Sequence, residues 1–150
     1  MKQYHQIQVA VDGSKEAELA FQKAIEVAQR NNATLEILHV IDTKSFQNVS
    51  SFDSDMVEQV ANDAKEKLEK YYEVAQNAGI KEVHFSIEFG SPKAIIAQQF
   101  PKEHQIDLII LGSTGLNAVE RMLIGSVTDY VTRTAPCDVL VCRSTRPTRI

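Results

Sequence analysis

The sequence predicts an α/β domain, a single doubly wound unit built on a parallel sheet with helices on both faces. Three observations predict it. Strand-like and helix-like segments alternate along the chain in the order β-α-β-α-β-α-β-α-β, and such alternation covers both faces of a parallel sheet with helices. The run Ile106-Asp107-Leu108-Ile109-Ile110-Leu111 is almost continuously apolar, as a strand buried on both sides requires. The 150 residues are about one domain's worth and contain neither an internal repeat nor a linker. Residues 1–150 are therefore expected to form one domain, with 143–150 a flexible solvated tail.

Taken in order, Ile7, Val9 and Val11 alternate and then stop at Asp12-Gly13-Ser14, which reads as a strand and its turn. Ser14 is placed to cap the following helix, with Glu16 and Glu18 in the first turn favouring the dipole. Ala17, Ala20, Phe21, Ala24, Val27 and Ala28 recur at helical spacing, and Asn31-Asn32 ends the helix. Residues 34–41 form a second strand. Residues 42–54 keep no period and read as a long loop. A long helix over 55–78 follows, with Val57, Val60, Ala64, Leu68, Tyr71, Val74, Ala75 and Ala78 on its inward side and Gly79 as its stop.

Residues 83–89 form a third strand. Ser91 and Pro92 are the cap and first position of a third helix, which Pro101 is expected to break or kink near Phe100. The apolar run at 106–111 is the fourth strand. Ser126 is expected to open the last helix, with Asp129 completing a capping box, and Asp138–Cys142 is the fifth strand. Gln8 fits poorly inside a central strand: either its face is only partly covered or its amide finds a partner.

Composition excludes several classes. With 43% hydrophobic and 24% charged residues, the chain is neither disordered nor collagenous nor a disulfide scaffold. A net charge of −4 lacks the positive field that non-specific binding to nucleic acid or anionic membranes uses, so neither is an expected partner. Met1 to Gln6 is polar, with no signal-peptide core, and the apolar runs are too short to span a bilayer, so a cytoplasmic location is expected. Cys137 and Cys142 read as small hydrophobes leaving opposite faces of one strand, not as a disulfide or zinc pair.

The chemistry is expected just beyond the strand ends, where doubly wound sheets bind ligands. Asp12-Gly13-Ser14 follows the first strand. Gly112-Ser113-Thr114-Gly115 follows the fourth, and Gly125-Ser126 precedes the last helix. Glycines there let backbone amides approach a ligand, and a helix N-terminus favours an anion, so the pattern resembles a phosphate cradle. Neither a P-loop nor the Gly-x-Gly-x-x-Gly dinucleotide fingerprint is present. A receiver domain would need a second acidic residue beside Asp12, where Gly13 stands. His39 reads as a satisfied core histidine, and Arg121 could reach a phosphate or lie exposed.

Gly112-x2-Gly115-x9-Gly125-Ser126 resembles the nucleotide-binding signature of the universal stress protein family. Val9 to Ser14, Leu38-His39-Val40 and Ala135 to Val141 resemble other stretches of that family, so the likeness spans about residues 4–143. The resemblance implies a five-stranded sheet in the order 3-2-1-4-5. It implies that ATP, or ADP or AMP, is bound, with Mg²⁺ accompanying the nucleotide. Ala10, Val11 and Asp12 would then face the adenine and ribose, and the backbone of Val40 the adenine edge. Gly112, Thr114 and Gly115 would wrap the ribose and first phosphate, and Gly125, Ser126 and Val127 the outer phosphates. It also implies a homodimer through the fifth strand, Asp138–Cys142, an apolar sheet edge open to pairing.

The resulting expectation is a cytoplasmic adenine-nucleotide-binding stress regulator or sensor. No catalytic residue and no protein-held metal is assigned, because fast phosphoryl transfer needs metal ligands, a cation on the γ-phosphate and a positioned base. The alternatives are a slow ATP hydrolase or phosphotransferase, and an interaction module with a vestigial pocket.

Overall fold

The computed structural model describes residues 3–46, 54–114 and 124–144. Five parallel strands lie in the order β3-β2-β1-β4-β5. They are β1 (Gln6–Ala10), β2 (Thr34–Asp42), β3 (Val83–Gly90), β4 (Leu108–Gly112) and β5 (Asp138–Cys142). Helices α1 (Lys15–Asn31) and α2 (Ser54–Asn77) cover one face. The other face carries α3 (Pro92–Ala94), a π-helical turn (Ile95–Gln99), α4 (Phe100–Glu103) and α5 (Ser126–Thr134). A short 3₁₀ turn (Thr43–Phe46) follows β2. The rest of the segment expected to be a loop, residues 47–53, lies outside the described residues, as do residues 145–150 of the tail.

Local chemistry sets the element ends. Ser14 Oγ accepts from the Ala17 amide at 3.1 Å and caps α1. Asn32 closes that helix in the left-handed region, at φ 54°. Gly79, at φ +88°, supplies the conformation that ends α2. Every residue of β4 is buried, as its apolar run implies. Cys142 packs in the core under α1, whereas Cys137 packs on the opposite face, and the two are not joined by a disulfide.

Three expectations are corrected. Of the break or kink expected at Pro101, the break does not occur. The turn at Ile95–Gln99 shifts to the wider spacing, with the Phe100 amide donating to Ile95 O, and the helix continues through Pro101 to Glu103. In that spacing the Ile96 carbonyl would face the nitrogen of Pro101, which carries no hydrogen. Gln8 supplies the missing donor: its Nε2 donates to Ile96 O at 3.0 Å, which is why an amide sits in a central strand. Second, Val74 is 47% exposed. The inward stripe of α2 runs through Ala64, Leu68 and Ala75, and Val74 borders an open gap between α1 and α2. Third, Ser126 is not the cap of α5. Gly125 holds that position and no described side chain caps the helix, while Asp129 pairs with Arg133 at 3.3 Å.

Candidate functional site

The carboxyl ends of β1, β2 and β4 and the N-terminus of α5 converge on a cleft of about 520 Å³. It lies at the point where the chain, after β1 and after β4, leaves for opposite faces of the sheet. Ala10, Val11, Asp12, Val40, Gly112, Thr114, Gly125, Ser126 and Val127 all line this one cleft. Gly115, the remaining residue assigned to a nucleotide, and Arg121 lie outside the described residues.

Each part of the wall has a local cause. Asp12 Oδ1 accepts from the Ser14 amide at 3.0 Å, and Gly13, at φ +86°, completes the turn from β1 into α1. Val11 donates to Leu38 O at 2.9 Å, which fixes Leu38 as a residue whose backbone faces β1. Val40 lies two positions on, so its N–H and carbonyl face the same side, beyond the end of β1 and toward the cleft. Both halves of the glycine pattern are tied together: Gly125 N donates to Ser113 O, and Thr128 Oγ1 to Gly112 O, each at 2.7 Å.

Gly112 has a second reason to be glycine. A Cβ there would come within 2.7 Å of the Glu16 backbone, so its bareness already serves the approach of α1 to β4. Gly125 is different. At φ −70° and ψ 161° its backbone suits any residue, so conformation does not demand glycine. Around it, α5 presents the amides of an N-terminus that no described side chain caps, with the partial positive charge of the helix dipole.

The universal stress protein family model matches residues 3–143. The chain belongs to the universal stress protein family. A Staphylococcus saprophyticus protein bearing the family's name is 47% identical over 144 residues, covering 96% of this chain and 86% of its own. Universal stress protein UspA from Lactobacillus plantarum superimposes with a TM-score of 0.80 at 34% identity, covering 95% of this chain and all of its own. The universal stress protein from Archaeoglobus fulgidus, solved in complex with dAMP, matches with a TM-score of 0.64 at 25% identity over 93% of this chain and 98% of its own.

Leu38, Pro92, Ile96, Leu111 and Thr128 join the cleft of this family member without having been nominated from the sequence. Thr128 had a legible signal, its place in the first turn after Gly125-Ser126. Ile96 had none, because the turn that aims it depends on Gln8. His39 is a satisfied histidine, as expected, with Nδ1 2.7 Å from Val11 O, but it is half-buried and borders the cleft.

A neighbouring cavity of about 630 Å³ between α1 and α2 shares Val11, Asp12, His39 and Val60 with the cleft. Tyr71, which lines it, donates to Glu18 at 2.8 Å, and burial with that bond holds the phenol protonated. No described residue of the glycine pattern lines this cavity, so the candidate site is the cleft. Among the described residues, no group of three or more His, Cys, Asp or Glu side chains could hold a metal ion. No described helix is long and apolar enough to cross a membrane.

Proposed function

We propose that the cleft binds an adenine nucleotide, ATP or its di- or monophosphate, and that the protein acts as a nucleotide-binding stress regulator in the cytoplasm. One observation carries this reading: the N-terminus of α5, which no described side chain caps, opens on the same cleft as the outward backbone of Val40. An anion site and a base-pairing edge thus sit at two ends of a single wall. The residues present fit the ligand. Val40, Ile96 and Leu38 give an apolar wall for a base, and the volume lies in the range of small-molecule sites. Asp12 is assigned to the ribose, Thr114 and Gly115 to the first phosphate, and Gly125, Ser126 and Val127 to the outer phosphates. The dAMP complex of the Archaeoglobus relative supports the adenine choice.

Ser126, the first residue of α5, is the side chain assigned to a Mg²⁺ that arrives with the nucleotide. Turnover is assigned no base: Asp129 is engaged with Arg133. Equilibrium dialysis with labelled AMP, ADP, ATP and GTP tests the assignment. Saturable binding of the adenine nucleotides, with GTP excluded, is expected. Failure of all three adenine nucleotides to bind overturns it in favour of a vestigial pocket. Single-turnover hydrolysis at about 1–100 s⁻¹, the range of kinases, would make the protein an enzyme.

A further inference from the structure

The sheet face beneath α3 and α4 carries a row of polar side chains that begins in the core at Gln8 and Glu36 and ends at the exposed His84. Register sets Gln8 of β1 beside Glu36 of β2, and Glu36 beside His84 of β3. Residues paired in parallel strands share a face, and this face also holds Leu38 and Ile109. Gln8 is fully buried and Glu36 is 7% exposed. The Gln8 amide spends a proton on Ile96 O, but its Oε1 has no partner among the described residues. A buried carbonyl left without a donor is costly. Glu36, the next residue along the row, is acceptor-only when ionised and gains a donor when it binds a proton.

We propose that Gln8 and Glu36 form a buried proton-binding pair, in which protonated Glu36 donates to Gln8 Oε1 while Gln8 Nε2 holds the Ile96 carbonyl. Ionised Glu36 reverses the arrangement: the carboxylate repels Oε1 and draws the amide NH₂ away from Ile96. Burial pushes the Glu36 carboxyl above the ordinary glutamate range, and Glu82 adds to this, while His84 from β3 and His104 at the end of α4 oppose it. The folded protein therefore holds a proton that the unfolded chain releases. Stability from the pair is fully present below the unfolded glutamate value and is lost as pH rises through the folded midpoint. Because Ile96 also lines the cleft, the proton is linked to the ligand site, and nucleotide binding strengthens with protonation.

Carbon-13 NMR of the full chain, labelled at glutamate carboxyls and assigned with Glu36→Gln, tests the pair. A Glu36 midpoint above that of free glutamate, lowered in Gln8→Met, is expected. An ordinary midpoint, or one that Gln8→Met leaves unchanged, overturns the proposal. Should Gln8→Met fail to fold, Glu36→Gln decides. Its introduced amide can donate to Oε1, so slow exchange of those amide protons and a higher Tm at pH 7 are expected, and the absence of both overturns the pair. The link to the cleft rests on the nucleotide reading, whereas the titration does not. AMP affinity should rise by roughly 5-fold or more on acidification through the midpoint in the parent and not in Glu36→Gln. Equal pH dependence in both overturns the link.

Discussion

Gly112 and Gly125 belong to one sequence pattern yet are glycine for different reasons. Gly112 lets the first turn of α1 approach the end of β4, with 2.7 Å between its hypothetical Cβ and the Glu16 backbone. Gly112→Ala should therefore cost about 1–3 kcal/mol of stability, read as a lowered Tm, because neither backbone can yield cheaply. Thr128 is the other side chain holding this junction. Thr128→Val keeps the volume but leaves the Gly112 carbonyl without its buried donor, and should cost about 1–3 kcal/mol in chemical denaturation. A midpoint unchanged in both variants would show that the junction is not held as described. Gly112 as part of a glycine pattern was legible in the sequence, but its packing role was not, because the atoms it meets belong to Glu16, distant in the chain.

Among the elements, α5 couples stability most directly to function. Its N-cap is glycine where serine, threonine, aspartate or asparagine would serve the helix better. Gly125→Asp should cap α5 with no backbone strain, leave the Tm equal or higher, and lower nucleotide affinity about 10-fold or more by placing a carboxylate where phosphate is assigned. Tighter nucleotide binding in that variant would contradict the assignment. The sequence placed α5 well but credited its cap to Ser126, since serine is the commoner cap and only the extended backbone at Gly125 reveals the true one. Helix ends set by local chemistry were legible at Ser14, Asn32, Gly79 and Pro92. The turn at Ile95–Gln99 was not, because the donor that satisfies Ile96 comes from Gln8, 88 residues away. Sequence patterning exposes local caps and periods; it does not expose a hydrogen bond between remote segments.

For the whole molecule, sheet order decides which surfaces can assemble and where a ligand can sit. β5 is an edge strand. Cys142 O accepts from Ser113 N at 2.8 Å, so Cys142 faces β4 and Val139 and Val141 turn their backbone groups outward. Val141→Pro should remove an outward donor while sparing the β4–β5 ladder. Light scattering at micromolar concentration is expected to show a dimer for the parent and a monomer for this variant. A monomeric parent would contradict pairing through β5. The same sheet order brings β1, β2, β4 and α5 to one cleft, and the claim that this cleft is an adenine-nucleotide site is tested most directly by thermal shift of the parent beside Gly125→Val. Nucleotide at 100 times Kd adds about 2.7 kcal/mol to the native state, or on the order of 5–10 °C for a chain of this size. The parent should gain that shift with ATP, ADP or AMP, and Gly125→Val should melt as a folded protein with none. Equal shifts in the two proteins, or no shift in the parent with any adenine nucleotide, would contradict it.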